Sequence, residues 1–123
     1  MNHTWGYKKN DHNWKSPKDI LCSLIECTSR GVNYMINIGP KADGSVPQPS
    51  VDIMNFIGVW MRVNSESIYG ATANPFNDNF PWGYVTSKDH TLYLHLLPQI
   101  TVGKRRIILR PAWFIILLTI CIY

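Results

Sequence analysis

Residues 16–63 carry the pattern that most limits what this chain can fold into. Two amphipathic segments with helical spacing, 16–31 and 50–63, flank one short apolar run at 32–39. Helix, strand and helix joined by short connections are typical of an alternating α/β fold. One strand cannot form a sheet by itself, so the pattern predicts a piece of a larger α/β architecture.

The first segment has clear start and stop signals for a helix. Ser16 suits the N-cap, Pro17 suits the first helical position, and Asp19 completes a pattern that resembles a capping box. Gly31 suits the left-handed residue after the last turn. The residues at helical spacing that we place on one buried face are Ile20, Leu21, Leu24, Ile25 and Thr28.

The run "VNYMINIG" at 32–39 is apolar on both faces, which predicts a parallel strand covered by helices. The loop after it contains Asp43-Gly44 and several prolines, as turns do. A second helix is predicted from Ser50 to Val63. Its apolar stripe comprises Val51, Met54, Ile57 and Met61, widened by Ile53 and Trp60.

After Gly70 the sequence becomes rich in proline and asparagine, as linkers and surface loops are. The stretch "YVTSKDHTLYLHLL" at 84–97 then shows two extended runs around a turn. Alternation of leucine with other residues at 92–96 predicts a half-buried antiparallel strand. We expect His90 and His95 to occupy surface or edge positions. A second, all-β unit is therefore predicted from about residue 82.

Composition excludes several classes of function. The 123 residues amount to one ordinary domain, and the net charge of +4 is dispersed apart from "GKRR" at 103–106. Dispersed charge argues against a nucleic-acid partner. The apolar residues 112–123 are too few to span a bilayer, which takes about 20. That tail is a truncated anchor, a buried strand or sequence foreign to the protein, and it gives no firm evidence for a membrane partner.

Three motifs resemble consecutive blocks of one enzyme family. They are "TWGY" at 4–7, "NYMINIGPKADG" at 33–44 and "VNSESIYGA" at 63–71, and they are similar to glycoside hydrolase family 29, the α-L-fucosidases. The resemblance implies an α/β fold: the last portion of a (β/α)₈ TIM barrel followed by the beginning of an all-β sandwich. On that plan, 1–70 belongs to the barrel, 71–81 is a linker, 82–111 starts the sandwich, and 112–123 is a tail of uncertain origin.

The same resemblance implies where the sugar binds. Asn37, Gly39 and Asp43 would lie toward the C-terminal face, where barrel enzymes build their sites. Trp5 is the candidate wall against the apolar side of fucose, with core packing as the alternative. The candidate residues for the pocket entrance are Tyr7, His12 and Trp14, for which packing beneath a loop is the alternative. No cofactor is implied, and two histidines nine apart, His3 and His12, make a poor metal site.

The catalytic groups have no matching position in this chain. Retaining glycosidases need two carboxylates about 5–5.5 Å apart, and the resemblance places the family's nucleophile and acid/base upstream of "TWGY". The eight acidic residues here are scattered and match no catalytic motif. We therefore expect retaining hydrolysis of α-L-fucosyl linkages in fucosylated glycans by a longer protein, with this chain inactive alone.

The alternative function is a non-catalytic module that binds carbohydrate or a protein partner. Proteins of the resembled family are mostly secreted, periplasmic or lysosomal, and the sequence leaves the compartment and the oligomeric state open.

Overall fold

A computed structural model describes residues 1–76 and 78–96, together with the backbone of 115–117. The described residues form a small α/β structure of two helices and one three-stranded sheet. The elements are α1 (Pro17–Ser29), α2 (Gln48–Asn64), a 3₁₀ turn (Ser65–Ser67), β1 (Gly83–Lys88), β2 (Thr91–Leu96) and β3 (Ile115–Leu117). In the sheet, β1 pairs antiparallel with β2, and β2 pairs parallel with β3.

The α1 helix confirms the predicted start and stop signals. The Ser16 hydroxyl oxygen accepts a hydrogen bond from the Asp19 amide at 3.1 Å, which satisfies one of the free N–H groups of the first turn. At the other end, Gly31 has φ +69° and the Val32 amide donates to the Cys27 carbonyl oxygen at 3.0 Å. This is a Schellman ending, which needs a residue with positive φ.

The α2 helix confirms the second prediction in extent but corrects its buried face. Ser50, Ile53 and Ile57 are buried, whereas Met54, which we predicted to face the core, is 42% exposed. The buried residues are spaced by three and four positions from Ser50, which places them on one face of the helix. Met54 follows Ile53 directly and therefore lies outside that face. Ser50 is small enough for the chain before α2 to pass close, and its hydroxyl donates to the Ile38 carbonyl oxygen at 3.3 Å.

The prediction of a strand at 32–39 is wrong for this chain, since the structure assigns no strand there. A parallel strand needs neighbouring strands to supply its ladder, and in the described residues the sheet is formed by later segments. Tyr34 and Ile36 still turn inward and pack on the core, as an apolar run should. The hydrophobic pattern of the run thus led to partial burial of these two residues without a sheet, while Val32 and Met35 are exposed.

Helix α1 contributes to two hydrophobic clusters. Ile20 joins the first, whose buried members also include Met1, Ile53 and Ile57. Leu21 and Ile25 join the second, together with Ile68. Met61 of α2 packs on both. The N-terminal segment therefore packs with α1 in the first cluster, Tyr84 of the sheet packs with it in the second, and α2 contributes to both. Neither helix is long and apolar enough to cross a membrane, within the residues that the structure describes.

The hairpin of β1 and β2 buries more than the predicted leucine face. Tyr93, Leu94 and His95 are all buried, so both faces of β2 are covered. His95 is only 1% exposed, and our prediction of a surface or edge position was wrong for it; His90, in the turn, is exposed. The reason is register: His95 lies opposite Tyr84, whose side chain packs on the second hydrophobic cluster beside α1.

His95 is held by a short chain of hydrogen bonds. The Thr86 hydroxyl donates to the Ser67 carbonyl oxygen at 2.8 Å and lies 3.0 Å from Nε2 of His95. Because that hydroxyl proton is already used, the oxygen must accept from Nε2–H, which fixes the tautomer. The other ring nitrogen, Nδ1, has no partner among the described residues. Burial lowers the pKa of His95 from 6.5 to about 4.

Candidate functional site

Two segments that are distant in sequence meet at Asn37. The Met1 amino nitrogen donates to the Asn37 carbonyl oxygen at 2.6 Å. The Asn37 side-chain nitrogen, Nδ2, donates to the Trp5 carbonyl oxygen. The side-chain oxygen, Oδ1, accepts from the Gly39 amide at 2.9 Å. One asparagine therefore joins residues 4–7 to residues 36–39, and we call these two segments together the rim.

Glycine is favoured where the two segments of the rim pass each other. Gly39 has φ +53°, a conformation that residues with a side chain rarely adopt. A Cβ placed on Gly39 would lie 3.5 Å from the Gly6 carbonyl carbon and from the Tyr7 amide nitrogen. An added Cβ would thus meet only ordinary van der Waals contact, and the left-handed φ is the feature that favours glycine at this position.

The loop that carries Trp5 is also fixed from its far side. Asp11 accepts from the Asn13 amide at 3.0 Å, and its other oxygen lies 3.5 Å from the Thr4 hydroxyl. The Lys15 amide donates to the Met1 carbonyl oxygen at 3.0 Å. Asp11 therefore acts as a loop anchor through the hydrogen bond that one of its carboxylate oxygens accepts from the Asn13 amide.

Trp5 projects from this loop beside a small cavity. The residue is 75% exposed. The cavity of about 160 Å³ is lined by residues of the N-terminal segment, by Ile20 of α1 and by residues 34–37. The lining includes the polar residues Asn2, Thr4, Lys15 and Asn37 and the aromatic residue Tyr34. Of the four predicted site residues, Trp5 alone lines this cavity.

The structure places the other three candidates elsewhere. Tyr7 is 42% exposed and His12 is exposed, and neither lines the cavity. Trp14 is half-buried and packs against the first hydrophobic cluster, which is the packing alternative that the sequence left open. The rim thus brings together Trp5 and Asn37, and it does not gather Tyr7, His12 and Trp14 around one cavity.

Sequence reasoning missed Tyr34 and Lys15 as lining residues. Tyr34 alternates with exposed neighbours, Asn33 and Met35, along the 32–39 run, so period-two spacing was the available signal. Lys15 had no comparable signal, because its position follows from the hydrogen bond between its amide and Met1.

The electrostatics of the cavity are polar and mildly positive. Burial, followed by the charge of Lys15, lowers the pKa of the Met1 amino group. No carboxylate lines the cavity. Asp43 lies outside it and is exposed, and hydrogen bonds from Ser45 hold the pKa of that carboxyl below its usual value. In the part of the chain that the structure describes, no group of three or more metal-binding side chains exists.

This arrangement suits binding more than bond cleavage. An exposed indole provides an apolar surface, and the amides and the Thr4 hydroxyl beside it provide donors and acceptors for a neutral polar ring. A nucleophile and a proton donor, which glycoside cleavage needs, are not present in the cavity lining.

Comparison with known proteins gives a consistent result. The family model described as Alpha-L-fucosidase matches residues 1–66. The plasma alpha-L-fucosidase of Homo sapiens is 31% identical over 107 residues, which is 82% of this chain and 23% of that protein. The alpha-L-fucosidase of Dictyostelium discoideum is 30% identical over 74 residues, 58% of this chain and 16% of that protein.

Solved structures agree and extend the similarity beyond residue 66. Alpha-L-fucosidase isoenzyme 1 from Paenibacillus thiaminolyticus superimposes with a TM-score of 0.77 and 40% identity, covering 82% of this chain and 24% of that one. Alpha-L-fucosidase from Vibrio sp. strain EJY3 gives 0.74 and 42%, covering 77% and 17%. The chain therefore spans about a quarter or less of the length of these relatives.

Proposed function

The chain belongs to the α-L-fucosidase family, and we propose that it supplies one wall of the fucose pocket of a retaining α-L-fucosidase. The reaction would be hydrolysis of terminal α-L-fucosyl linkages in glycans and glycoconjugates. The observation that carries this proposal is the meeting of "TWGY" with "NIGP" at Asn37, because both motifs lie within the 66 residues that match the family.

The chemistry of fucose fits an exposed indole. Fucose is a 6-deoxy sugar, so it presents a methyl group among its hydroxyls. Covering that methyl group with Trp5 would contribute about 1–3 kcal/mol, the scale of burying a small apolar group. Two related structures support the substrate class: one from Thermotoga maritima is in complex with fucose, and one from Bacteroides thetaiotaomicron is a trapped covalent intermediate.

The catalytic carboxylates would come from outside this chain. The acids nearest the rim in sequence are Asp11 and Asp43, and both are engaged in holding their own loops. The reaction needs a nucleophile and a proton donor around one anomeric carbon. We therefore expect the chain alone to lack activity, since an aromatic wall cannot replace covalent catalysis.

The domain boundaries follow from the same proposal. Residues 1–70 would form the last part of a (β/α)₈ barrel, with 32–39 as a barrel strand once neighbouring strands are present. Residues 71–81 would be the linker and 82–111 the start of a β-sandwich. The hairpin of β1 and β2 is consistent with the latter; residues 97–111, and all of 112–123 except the backbone of 115–117, lie outside the described residues.

A chimera tests the function of this chain's own residues. Residues 1–66 would replace the matching segment of the Paenibacillus thiaminolyticus isoenzyme, which is the 40% identical relative. We expect the chimera to hydrolyse an aryl α-L-fucoside and the 123-residue chain alone to show no turnover above buffer. A folded chimera that neither binds nor hydrolyses the fucoside would contradict the proposal.

Substitution of Trp5 then tests the wall. In the chimera, Trp5→Ala is expected to raise KM about tenfold, the equivalent of the lost apolar contact. Trp5→Phe, the matched control, keeps an aromatic surface and should remain within about threefold. Equal kinetics for Trp5→Ala and the unsubstituted chimera would show that Trp5 does not contact the sugar.

The alternative function, a non-catalytic carbohydrate-binding or interaction module, is favoured by one observation: the cavity lining has polar and aromatic groups without a carboxylate. It predicts that the 123-residue chain binds L-fucose by itself, whereas the chimera stays inactive although folded. Calorimetric titration of both proteins with L-fucose separates the two functions.

A further inference from the structure

Trp5 has little packing of its own to hold it in place. The residue is 75% exposed, so few contacts with other side chains restrict the rotamers of the indole or the motion of its loop. A binding wall has to be held before the ligand arrives, because ordering it on binding reduces affinity. The position of Trp5 must therefore be set through its backbone.

Asn37 is the residue that makes the backbone contact. Its Nδ2 donates to the Trp5 carbonyl oxygen across 32 residues of sequence. The orientation of the amide is fixed independently, since Oδ1 accepts from the Gly39 amide at 2.9 Å and this leaves Nδ2 to face Trp5. The geometry of the side chain is thus complete without any substrate.

We propose that Asn37 is a positioning residue of the fucose pocket, whose side chain acts by holding Trp5 through the Trp5 carbonyl oxygen. This inference rests on the proposed function for the identity of the ligand. The positional part, that Asn37 orders Trp5, stands on the two side-chain hydrogen bonds alone.

Two variants separate the hydrogen bonds. Asn37→Ala removes both side-chain bonds. Asn37→Asp keeps an oxygen for the Gly39 amide, so it leaves the turn at Gly39 supported. Toward Trp5 it replaces the donor with a carboxylate oxygen, which repels the Trp5 carbonyl oxygen. Both retain the backbone carbonyl that accepts from Met1. The matched control is Asn33→Ala, four residues earlier in the same run and exposed.

The first measurement needs no sugar. In the ¹⁵N-labelled 123-residue chain, we expect the order parameter of the Trp5 backbone to fall from the rigid range, about 0.85, toward about 0.6 in Asn37→Asp. Asn33→Ala should leave it unchanged, and amide protection in α1 should be the same in all variants. An unaltered order parameter for Trp5 in Asn37→Asp, with α1 still protected, would overturn the inference.

The second measurement asks whether Asn37 acts through Trp5. In the chimera, Asn37→Asp is expected to raise KM about tenfold with kcat changed less, the effect of one lost hydrogen bond. Added to Trp5→Ala, it should cause little further loss, since the wall it holds is gone. Full additivity of the two effects would assign Asn37 a separate role and contradict the inference.

The two failures can be told apart. If L-fucose binds neither the chain nor the chimera, yet Trp5 loses order in Asn37→Asp, the proposed ligand is wrong while the positioning role holds. If the chimera is active and Trp5 keeps its order, the proposed function holds and the positioning role is wrong.

Discussion

The rim and the hairpin differ in which side chains they expose to solvent and which they bury. At the rim, the large apolar side chain of Trp5 faces solvent and the loops are tied by single hydrogen bonds. In the hairpin, the polar side chains of Thr86 and His95 are buried and a continuous ladder joins the strands. An exposed apolar group with little packing indicates a binding surface, whereas a buried and bonded polar group indicates structural support.

The difference also appears in the backbone. The rim uses a positive φ at Gly39, where two loops approach each other. The hairpin uses one at Gly83, where φ is +152° at the first residue of β1. At Gly39 an added Cβ would meet ordinary contacts, while at Gly83 it would lie 1.8 Å from the His95 carbonyl oxygen. The hairpin therefore tolerates less change than the rim.

The largest expected effect comes from Gly83→Ala. Its Cβ would overlap backbone, which cannot turn away as a flexible side chain can, and its φ is strained for any residue with a Cβ. Steric strain and backbone strain together should lower the free energy of unfolding by on the order of 4 kcal/mol. Urea unfolding of the chain, with hydrogen exchange at the hairpin amides, measures this.

Gly58→Ala is the matched control in α2. Apart from the nearby backbone of α2 itself and the two neighbouring residues, no heavy atom lies within 4 Å of a Cβ added there. Alanine is the better helix former, so the expected change is a gain of about 1 kcal/mol. If both substitutions have effects of the same sign and size, the hairpin is not the tightly packed region that the comparison requires.

The helices could be predicted from sequence because their signals are local. Ser16, Pro17 and Gly31 lie within the segment that they start and stop, and the structure follows them within one or two residues. The strand at 32–39 failed because a strand depends on neighbours elsewhere in the chain. The prediction of a surface or edge position for His95 failed for the same reason, since the burial of His95 depends on the register that places it opposite Tyr84.

The candidate site could be predicted in part. An aromatic residue in "TWGY" indicated a binding surface, and Trp5 does lie beside the cavity. To predict the role of Asn37 as the junction, one must know that residues 4–7 and 36–39 touch. Asn37 and Trp5 are 32 residues apart, and no local sequence pattern reveals a contact at that separation.

The second prediction concerns acid and the hairpin. The folded-state pKa of His95 is about 4, below the ordinary value of 6.5, so between these values the unfolded state binds more protons. Stability is therefore full above about pH 6.5 and is lost as the pH falls through that window. At about 1.4 kcal/mol per pKa unit the loss amounts to about 3 kcal/mol by pH 4. Urea midpoints from pH 7 to pH 4 measure it.

Two histidine variants test whether the loss of stability between pH 6.5 and 4 comes from His95. His95→Gln should flatten the dependence between pH 6.5 and 4, even if stability at pH 7 also changes. His90→Gln, in the exposed turn five residues earlier, should leave the dependence as it is. An unchanged pH profile in His95→Gln would mean that groups other than His95 cause the acid sensitivity.

The smallest expected effect lies in α1, the helix that both regions share. Ser16→Ala removes the oxygen that accepts from the Asp19 amide and should cost about 1 kcal/mol. Ser23→Ala is the control, because the Ser23 hydroxyl only bonds back to the Asp19 carbonyl oxygen within the helix, and alanine there should be neutral or slightly stabilising. Helix α1 packs on both hydrophobic clusters. Hydrogen exchange in Ser16→Ala should therefore show that amide protection falls by similar amounts in the rim and in the hairpin. Loosening confined to one of them would show that the two regions do not depend on α1 equally, and that the contrast between them extends to how each is anchored.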